Sequence, residues 1–459
     1  MPISPQQEKA QHLHTSVMQP IHCLCNSHVL LVAALLCVLL AQATNVFALD
    51  AQGAEEQALT IEEIDQLFDE AMKSLEQQDL QTARKRFENI LSGNPSLHRA
   101  RLELARVYYL SLDYEKAREE TLRVLDDPNT PPQVRVTLLA FLAQIDADQK
   151  ELNKAHRWGG SIYLGLTYDS NVNAGPDQTV IDLNGTSLSL TDASLERSDV
   201  GLSLIAGITH NYSPGVTFDF GEQSGFFLWQ SQANLNLRPY FNEDDFNVAV
   251  LTLRTGPSWI VPRHWRAGIA LQLDKLWLGN EALALFTSLN PSIVWQRAEN
   301  WEFGLDLVYT QRSYDDQLNK PRDGDFIAAT ATVSKYLEDP EVGLQAGIGY
   351  EDFSADDTSF SHSGPNVFVG ANKSMWENGS IYARVNWRDY DYDGLAPFFN
   401  TPRDDSELRL TVGFQRELEW QFLEGWQLLG SVSVADNSSN VPIFDYDRQL
   451  LNLGVSRSF

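Results

Sequence analysis

The chain has 459 residues, with 62 acidic and 34 basic side chains and a sequence pI near 4.6. The length leaves room for more than one domain, and the formal charge of −28 at pH 7 argues against a nucleic-acid partner. The three cysteines are Cys23, Cys25 and Cys37, so the chain beyond residue 48 contains no thiol. This distribution is typical of a bacterial envelope protein that passes through an oxidising compartment.

The amino terminus resembles a secretion signal. Residues 29–40 form a twelve-residue apolar run, which is too short for a membrane-spanning helix but fits the core of a signal peptide. Small residues that permit cleavage follow at Ala43 and Ala48. We therefore expect residues 1–48 to be a signal peptide, although its first part is long and has Lys9 as its only lysine or arginine.

An acidic linker, residues 49–59, should precede a helical domain that covers residues 60–156. Thr60 followed by Glu63 predicts a capping box at the start of the first helix. Small and apolar residues then recur after about 34 residues, the length of a tetratricopeptide repeat. The first set is Leu67, Ala71, Ala83, Phe87, Ile90 and Pro95, and the second is Leu104, Ala105, Tyr108, Ala117, Val124 and Pro128.

The segment from Pro132 to Asn153 has the character of a capping helix, with apolar residues at Val136, Leu139, Leu142 and Ile145. Two repeats and a cap predict a small α-solenoid. Such a solenoid could offer a groove for a peptide or a partner protein, or it could serve as a spacer or plug.

Residues 157–459 alternate between apolar and polar or small side chains with a period of two. In the last strand Leu451, Leu453, Val455, Arg457 and Phe459 share one face, while Leu450, Asn452, Gly454, Ser456 and Ser458 share the other. Similar segments of about ten residues, with aromatics near their ends, recur upstream, as a transmembrane barrel requires. The overall prediction is an α+β multidomain protein with an amino-terminal α-solenoid and a 14-stranded antiparallel transmembrane β-barrel; a soluble sandwich is the alternative.

Turn-forming residues divide this region into fourteen strands. The strands should begin near residues 158, 197, 225, 245, 263, 282, 300, 324, 340, 362, 379, 403, 424 and 444. Several connections assigned to the outside are long and polar, whereas those assigned to the periplasm are mostly tight. The segment 213–225 is ambiguous, because Val216–Phe220 could be a short extra strand or an elbow.

Four groups of residues are candidates for function. Tyr168, Asp169, Asn171 and Asn173 end the first strand, where the last three could form a polar latch onto the following loop or simply shape a turn. Leu453, Val455 and Phe459 form a candidate signal for barrel assembly, and Phe398 and Phe399 form a candidate contact in an outer loop that could instead fold into the barrel mouth.

The fourth group is acidic. Asp389, Asp391 and Asp393 alternate with tyrosines near Asp404 and Asp405; their oxygens could bind calcium, but we interpret them as a solvated rim. The sequence shows no nucleophile–base arrangement, phosphate loop or zinc spacing. We therefore expect no catalytic residues, cofactor or metal, and no enzymatic activity.

The segment from Trp158 to Asn173, with Tyr-Asp-Ser-Asn-Val-Asn directly after a short solenoid, resembles the surface lipoprotein assembly modifier (Slam) family. The resemblance implies an outer-membrane protein with a periplasmic solenoid that helps deliver lipoproteins or soluble binding proteins to the surface. The expected partners are a client protein, outer-membrane lipids, periplasmic chaperones and the barrel-assembly machinery, and we expect a monomer. A channel for small solutes or exopolysaccharide is the alternative function.

Overall fold

The computed structural model describes residues 60–459, except 78, 129, 153, 184, 222, 298–299, 338–340 and 377. The predicted signal peptide and acidic linker lie outside the described residues. The chain divides into two compact units, and their described parts are residues 60–152 and 154–459. The first unit is helical and the second is built from strands.

The described part of the helical unit contains five helices. The capping box predicted for the first helix is present, because the Thr60 hydroxyl accepts from the Glu63 amide while the Glu63 carboxylate accepts from the Thr60 amide at 2.8 Å. These bonds hold the pKa of Glu63 below its usual value. The bounds are α1 (Ile61–Glu76), α2 (Leu80–Gly93), α3 (His98–Leu110), α4 (Tyr114–Leu125) and α5 (Pro132–Leu152).

The helices share one apolar core built from the small and large residues of the predicted repeats. Ala71, Ala83 and Ala117 are fully buried and let the paired helices approach closely, and Phe87 fills the space between them. Arg101 on α3 reaches α4 through an ion pair with Glu120 at 2.5 Å. None of the described helices has the length and apolar character needed to cross a membrane.

The cap helix α5 differs in part from the sequence prediction. Leu142 and Ile145 are buried as expected, but Val136 and Leu139 are 68% and 55% exposed. Leu138, which the pattern did not single out, is buried instead. The prediction for Val136 and Leu139 was therefore wrong, because the buried stripe of α5 runs through Leu138, Leu142 and Ile145 at helical spacing.

The strand unit is a closed antiparallel barrel of fourteen strands, as predicted, and each strand begins within three residues of the position expected from the turns. Its strands are β1 (His156–Asp169), β4 (Asp199–Tyr212), β6 (Gln223–Arg238), β7 (Val248–Val261), β8 (Trp265–Leu278), β9 (Glu281–Gln296), β10 (Trp301–Tyr314), β11 (Gly324–Leu337), β12 (Val342–Ala355), β13 (His362–Trp376), β14 (Gly379–Leu395), β15 (Pro402–Glu417), β16 (Trp426–Ser439) and β17 (Tyr446–Ser458).

The ring closes between its first and last strands. The last strand β17 pairs with β1, and β1 pairs with β4, which in turn pairs with β6. Three short strands lie outside the ring: the hairpin of β2 (Val180–Leu183) and β3 (Thr186–Ser189), and β5 (Thr217–Phe220), which pairs with the start of β6. The ambiguous segment 213–225 therefore contains a short extra strand.

The outer surface of the barrel is apolar. In β1, for example, Leu164 and Leu166 are exposed whereas Gly165 and Thr167, on the opposite face, are buried. Exposed aromatic residues stand at the strand ends. Because lipid requires an apolar exterior and a closed ring leaves no unpaired backbone edge, this surface fits a membrane. The exposed aromatics near one end include Trp158, Trp295, Trp301 and Trp376.

The two ends of the barrel differ in their connections. At the turn end, strands are joined by short segments such as 262–264, and the carboxyl terminus lies there too. At the loop end the connections are mostly longer, and the first loop, residues 170–198, is the longest. This asymmetry matches the short periplasmic turns and longer outer loops of bacterial outer-membrane barrels.

Candidate functional site

The end of the first strand carries a buried carboxylate. Asp169 is fully buried, and Arg448 of β17 donates two hydrogen bonds to it, from Nε at 2.9 Å and from Nη2 at 2.6 Å. The hydroxyl of Tyr240 donates to the same carboxylate at 2.7 Å. Burial and the negative charge of Asp169 raise the pKa of Tyr240 to about 12, so the phenol remains a donor. The carboxylate therefore ties the first strand to the last.

Asn171 and Asn173 extend this connection into the first loop. The side chain of Asn171 bonds with the backbone of Gly175 in both directions and donates to the carbonyl of Asp447 at 2.9 Å. Asn173 donates to the Leu195 carbonyl at 2.7 Å and so joins the two ends of the loop. We call Asp169, Asn171, Asn173 and their partners the first-loop latch. Tyr168 does not join it, because its side chain is exposed on the outer face.

The latch lies at one end of a short strand pairing. β1 and β17 are paired over nine residues, from Ser161 with Ser458 to Asp169 with Leu450, whereas β1 and β4 are paired over fourteen. Beyond the nine pairs, Gly160 and Phe459 exchange two backbone hydrogen bonds at 2.7 and 2.9 Å. The latch thus adds side-chain contacts where the ladder between first and last strands is short.

The carboxyl-terminal residues lie at the other end of this pairing. Leu453 and Val455 face outward, and Phe459 is 80% exposed with its ring against Gly160. A Cβ at Gly160 would overlap the ring in this position, so the ring would have to shift if Gly160 were replaced. The placement leaves Phe459 accessible at the turn end, where an assembly signal could be read.

Sequence reasoning missed a cluster of arginines and aromatic rings in the barrel mouth. Arg312 is fully buried, with its guanidinium 4.0 Å from the ring centre of Phe353. Arg403 lies 3.6 Å from the ring centre of Phe444 and donates to Asp405 at 2.8 Å. The sequence did contain a signal that could have identified this cluster. On the predicted strands, these arginines occupy the face opposite the apolar one, and that face points into the barrel.

These arginines line a cavity of about 180 Å³, which we call the mouth cavity. Its walls come from the ends of β10, β12, β13, β14 and β15 and from several loops at the loop end. The first loop contributes the segment from Asn173 to Pro176. Other lining residues are Arg312, Tyr314, Leu318, Arg322, Phe353, Phe360, Tyr392, Phe398, Arg403 and Phe444.

The candidate outer-loop contact lies at this cavity. Phe398 is 68% exposed and has a positive φ of 73°, while its side chain also borders the cavity. Phe399 is half-buried, and the neighbouring Ala396 is buried. Part of this apolar tip therefore folds into the mouth, and part of it faces outward.

The acidic residues near the ends of β14 and β15 do not all lie on one face, because successive side chains of a strand point to opposite faces. Asp391 and Asp393 are exposed, whereas Tyr390 and Tyr392 between and beside them are buried. Asp405 points inward and pairs with Arg403. Within the residues that the structure describes, no group of three or more His, Cys, Asp or Glu side chains is arranged to hold a metal ion.

The fold and its apolar exterior define a class: a 14-stranded outer-membrane β-barrel preceded by tetratricopeptide-like helices. The family described as "Tetratricopeptide repeat" matches residues 74–145, and a family described as "Protein of unknown function (DUF2860)" matches residues 295–456. The chain is also 22% identical over 412 residues to the hemophilin secretion modulator of Acinetobacter baumannii. This match covers 85% of the chain and 78% of that relative.

Similar solved structures include the anion-selective porin of Comamonas acidovorans, with 10% identity, coverage of 66% of this chain and 99% of the porin, and a TM-score of 0.36. Another is OmpT of Vibrio cholerae, with 8% identity, coverage of 66% and 97%, and a TM-score of 0.36. The sequence matches and the fourteen-stranded barrel confirm the resemblance to the surface lipoprotein assembly modifier family.

Proposed function

We propose that this chain is a translocation factor that delivers a specific lipoprotein or soluble binding protein to the cell surface. In this proposal the helical unit lies in the periplasm and captures the client, and the barrel passes it or releases it. Chaperones and the barrel-assembly machinery would serve the chain's own insertion, and the barrel would act as a monomer among outer-membrane lipids.

The observation that carries the proposal is the connection between the two units. Helix α5 ends at Leu152, and β1 begins at His156 at the turn end of the barrel. Short turns face the periplasm in bacterial outer-membrane barrels. A connection of so few residues at that end supports the proposed placement of the helical unit on the periplasmic side, where a client would arrive.

The interior of the barrel favours the client-delivery function over the alternative function of a permanently open solute channel. Inward residues near the loop end, such as Asp169 and Arg312, are buried, whereas inward residues nearer the turn end, such as Ser161 and Asp306, are exposed. The lumen is therefore accessible from the turn end, which the proposal places in the periplasm, and is packed at the loop end except for the mouth cavity. A route that opens only for a client suits this arrangement better than a steady flow of solutes or exopolysaccharide. The name of the Acinetobacter relative, a secretion modulator, supports the same class of function.

We infer that three of the candidate site groups divide this work. The first-loop latch would hold the outer end closed, and Phe398 and Phe399 would contact the client as it leaves. Phe459 would guide assembly of the barrel. On the helical unit, Val136 and Leu139 form an exposed apolar pair one turn apart on α5, a suitable contact for an incompletely folded client.

The test uses full-length variants in a strain that otherwise lacks the chain. Proteins found at the surface or in the medium only when the chain is present identify the client. The double variant Val136→Glu with Leu139→Glu should then lower client export, with normal barrel abundance. Leu112→Glu is the matched control, because Leu112 is an exposed leucine in the turn between α3 and α4.

Undiminished export by the α5 variant would contradict client capture on this face. Equal export by a chain that lacks residues 50–155 would indicate that the whole helical unit is a spacer. If no exported protein depends on the chain, while uptake of small solutes or release of polysaccharide does, the channel alternative replaces the proposal.

A further inference from the structure

The mouth cavity has a charge opposite to that of the whole chain. The chain has 28 more acidic than basic residues, yet Arg312, Arg322 and Arg403 line the cavity and none of its lining residues is an aspartate or glutamate. An anion is repelled by the protein as a whole but attracted here. Because low-dielectric walls strengthen local electrostatic interactions, this lining favours an anionic ligand.

Arg322 gives the clearest indication of where an anion would bind. It lies in the loop between β10 and β11, and its guanidinium stands 4.6 Å from the ring centre of Phe360. No ion pair of Arg322 occurs among the described residues, in contrast to Arg403 with Asp405. Burial lowers the pKa of Arg322, but an arginine in a protein remains charged at neutral pH. An incoming carboxylate would compensate this charge.

The rest of the lining indicates a flat apolar body. Each of the three arginines stacks against an aromatic ring, so the rings and guanidinium planes are held in fixed orientations. Tyr314 and Tyr392 are also buried beside the cavity. Rings of this kind favour stacked or edge-to-face contact with another ring. An apolar cavity of about 150 Å³ can bind benzene, and the mouth cavity of about 180 Å³ is slightly larger.

We propose that the mouth cavity is a binding site for a small aromatic carboxylate, with the carboxylate at Arg322 and the ring among Phe353, Phe360 and Phe444. This site would act in addition to client delivery and would be reached from the loop end, where Phe398 and Leu318 are exposed. Its ligand would also contact the first loop, since Asn173 and Gly175 form part of the wall.

The experiment measures binding of benzoate to the purified full-length chain in lipid nanodiscs at low ionic strength. Benzamide, which has nearly the same shape but no charge, is the ligand control. Benzoate should bind saturably and at least about tenfold more tightly than benzamide, because a charge-assisted hydrogen bond is lost with the neutral ligand. This comparison uses the unaltered protein, so it decides the proposal even where a variant fails to fold.

Two variants then locate the site. Arg322→Gln should weaken benzoate binding by about tenfold or more, whereas Arg266→Gln should leave it unchanged, because Arg266 pairs with Glu302 at the opposite end of the barrel. Heat-dependent mobility on a gel confirms that both variants are folded. Absence of saturable benzoate binding, equal binding of benzamide, or full affinity in folded Arg322→Gln would each overturn the proposal.

Discussion

The two ends of the barrel lumen are built from the same strands but in opposite ways. In β10, Thr310, Arg312 and Tyr314 near the loop end are buried, whereas Asp306 nearer the turn end is exposed on the same inward face. In β1, Asp169 is buried and Ser161 is exposed. The inward side chains at the loop end, many of them charged or aromatic, are thus packed as in a protein core. The inward side chains named at the turn end are exposed to solvent.

Polar side chains at the loop end are therefore expected to contribute to the stability of the fold, whereas those at the turn end are accessible to water. A buried ion pair that loses one partner is costly, because the remaining charge stays without compensation. An exposed pair contributes little, because water and salt screen it. Polar substitutions should therefore have large effects at the loop end and small ones at the turn end.

Arg448→Ala should give the largest loss of stability. It leaves the buried carboxylate of Asp169 without its two charge-assisted hydrogen bonds, which should lower the free energy of unfolding by about 3–5 kcal/mol. Urea unfolding of the refolded chain in detergent micelles measures the change. Its matched control is Arg266→Ala at the turn end, where the pair with Glu302 is partly exposed and its loss should cost about 0–1 kcal/mol. Equal losses for the two variants would contradict the contrast between the ends.

Asn171→Ala should have an intermediate effect. The substitution removes side-chain bonds to Gly175 and to the carbonyl of Asp447, and the loss of buried hydrogen bonds should cost about 1–3 kcal/mol. Because the first loop then has a weaker attachment to β17, single-barrel conductance in planar bilayers should rise and fluctuate. A conductance trace indistinguishable from that of the unaltered chain would show that the latch does not close the lumen.

Deletion of Phe459 should have the smallest effect on the stability of the folded barrel. The residue is 80% exposed, and its ring lies against Gly160. The deletion should nevertheless reduce the amount of heat-modifiable barrel in the outer membrane, because we expect the assembly machinery to read this aromatic end. Phe459→Trp, which retains an aromatic terminus, is the control. Normal assembly of the shortened chain would assign Phe459 to strand packing alone.

The sequence was sufficient to predict the barrel, because strand alternation and turn residues are local signals. It also predicted the helical repeats, but two of the apolar positions named for the capping helix, Val136 and Leu139, are exposed. Period alone does not show which of two adjacent apolar stripes on α5 is covered. Which stripe is buried depends on contacts with other helices. One such contact is between Phe141 and Tyr109 of α3, whose ring centres are 5.4 Å apart.

The arginines of the loop end were beyond local sequence reasoning. Asp169 and Arg448 are 279 positions apart and meet only because the ring closes between β1 and β17. The mouth cavity likewise combines residues from five strands and several loops. Asp169, Asn171 and Asn173 could be named from the sequence because they cluster at the end of one strand. Their partners Arg448, Tyr240 and Asp447 could not, since pairing register and loop path decide which residues meet.

The central claim is that the packed loop end faces the outside and the helical unit faces the periplasm. Because the chain beyond residue 48 has no cysteine, single exposed cysteines can be introduced by Leu188→Cys in the first loop and Asp69→Cys in α1. A membrane-impermeant maleimide should label Leu188→Cys in intact cells and Asp69→Cys only after the outer membrane is permeabilised. Labelling of Asp69→Cys in intact cells, with Leu188→Cys protected until permeabilisation, would contradict the claim.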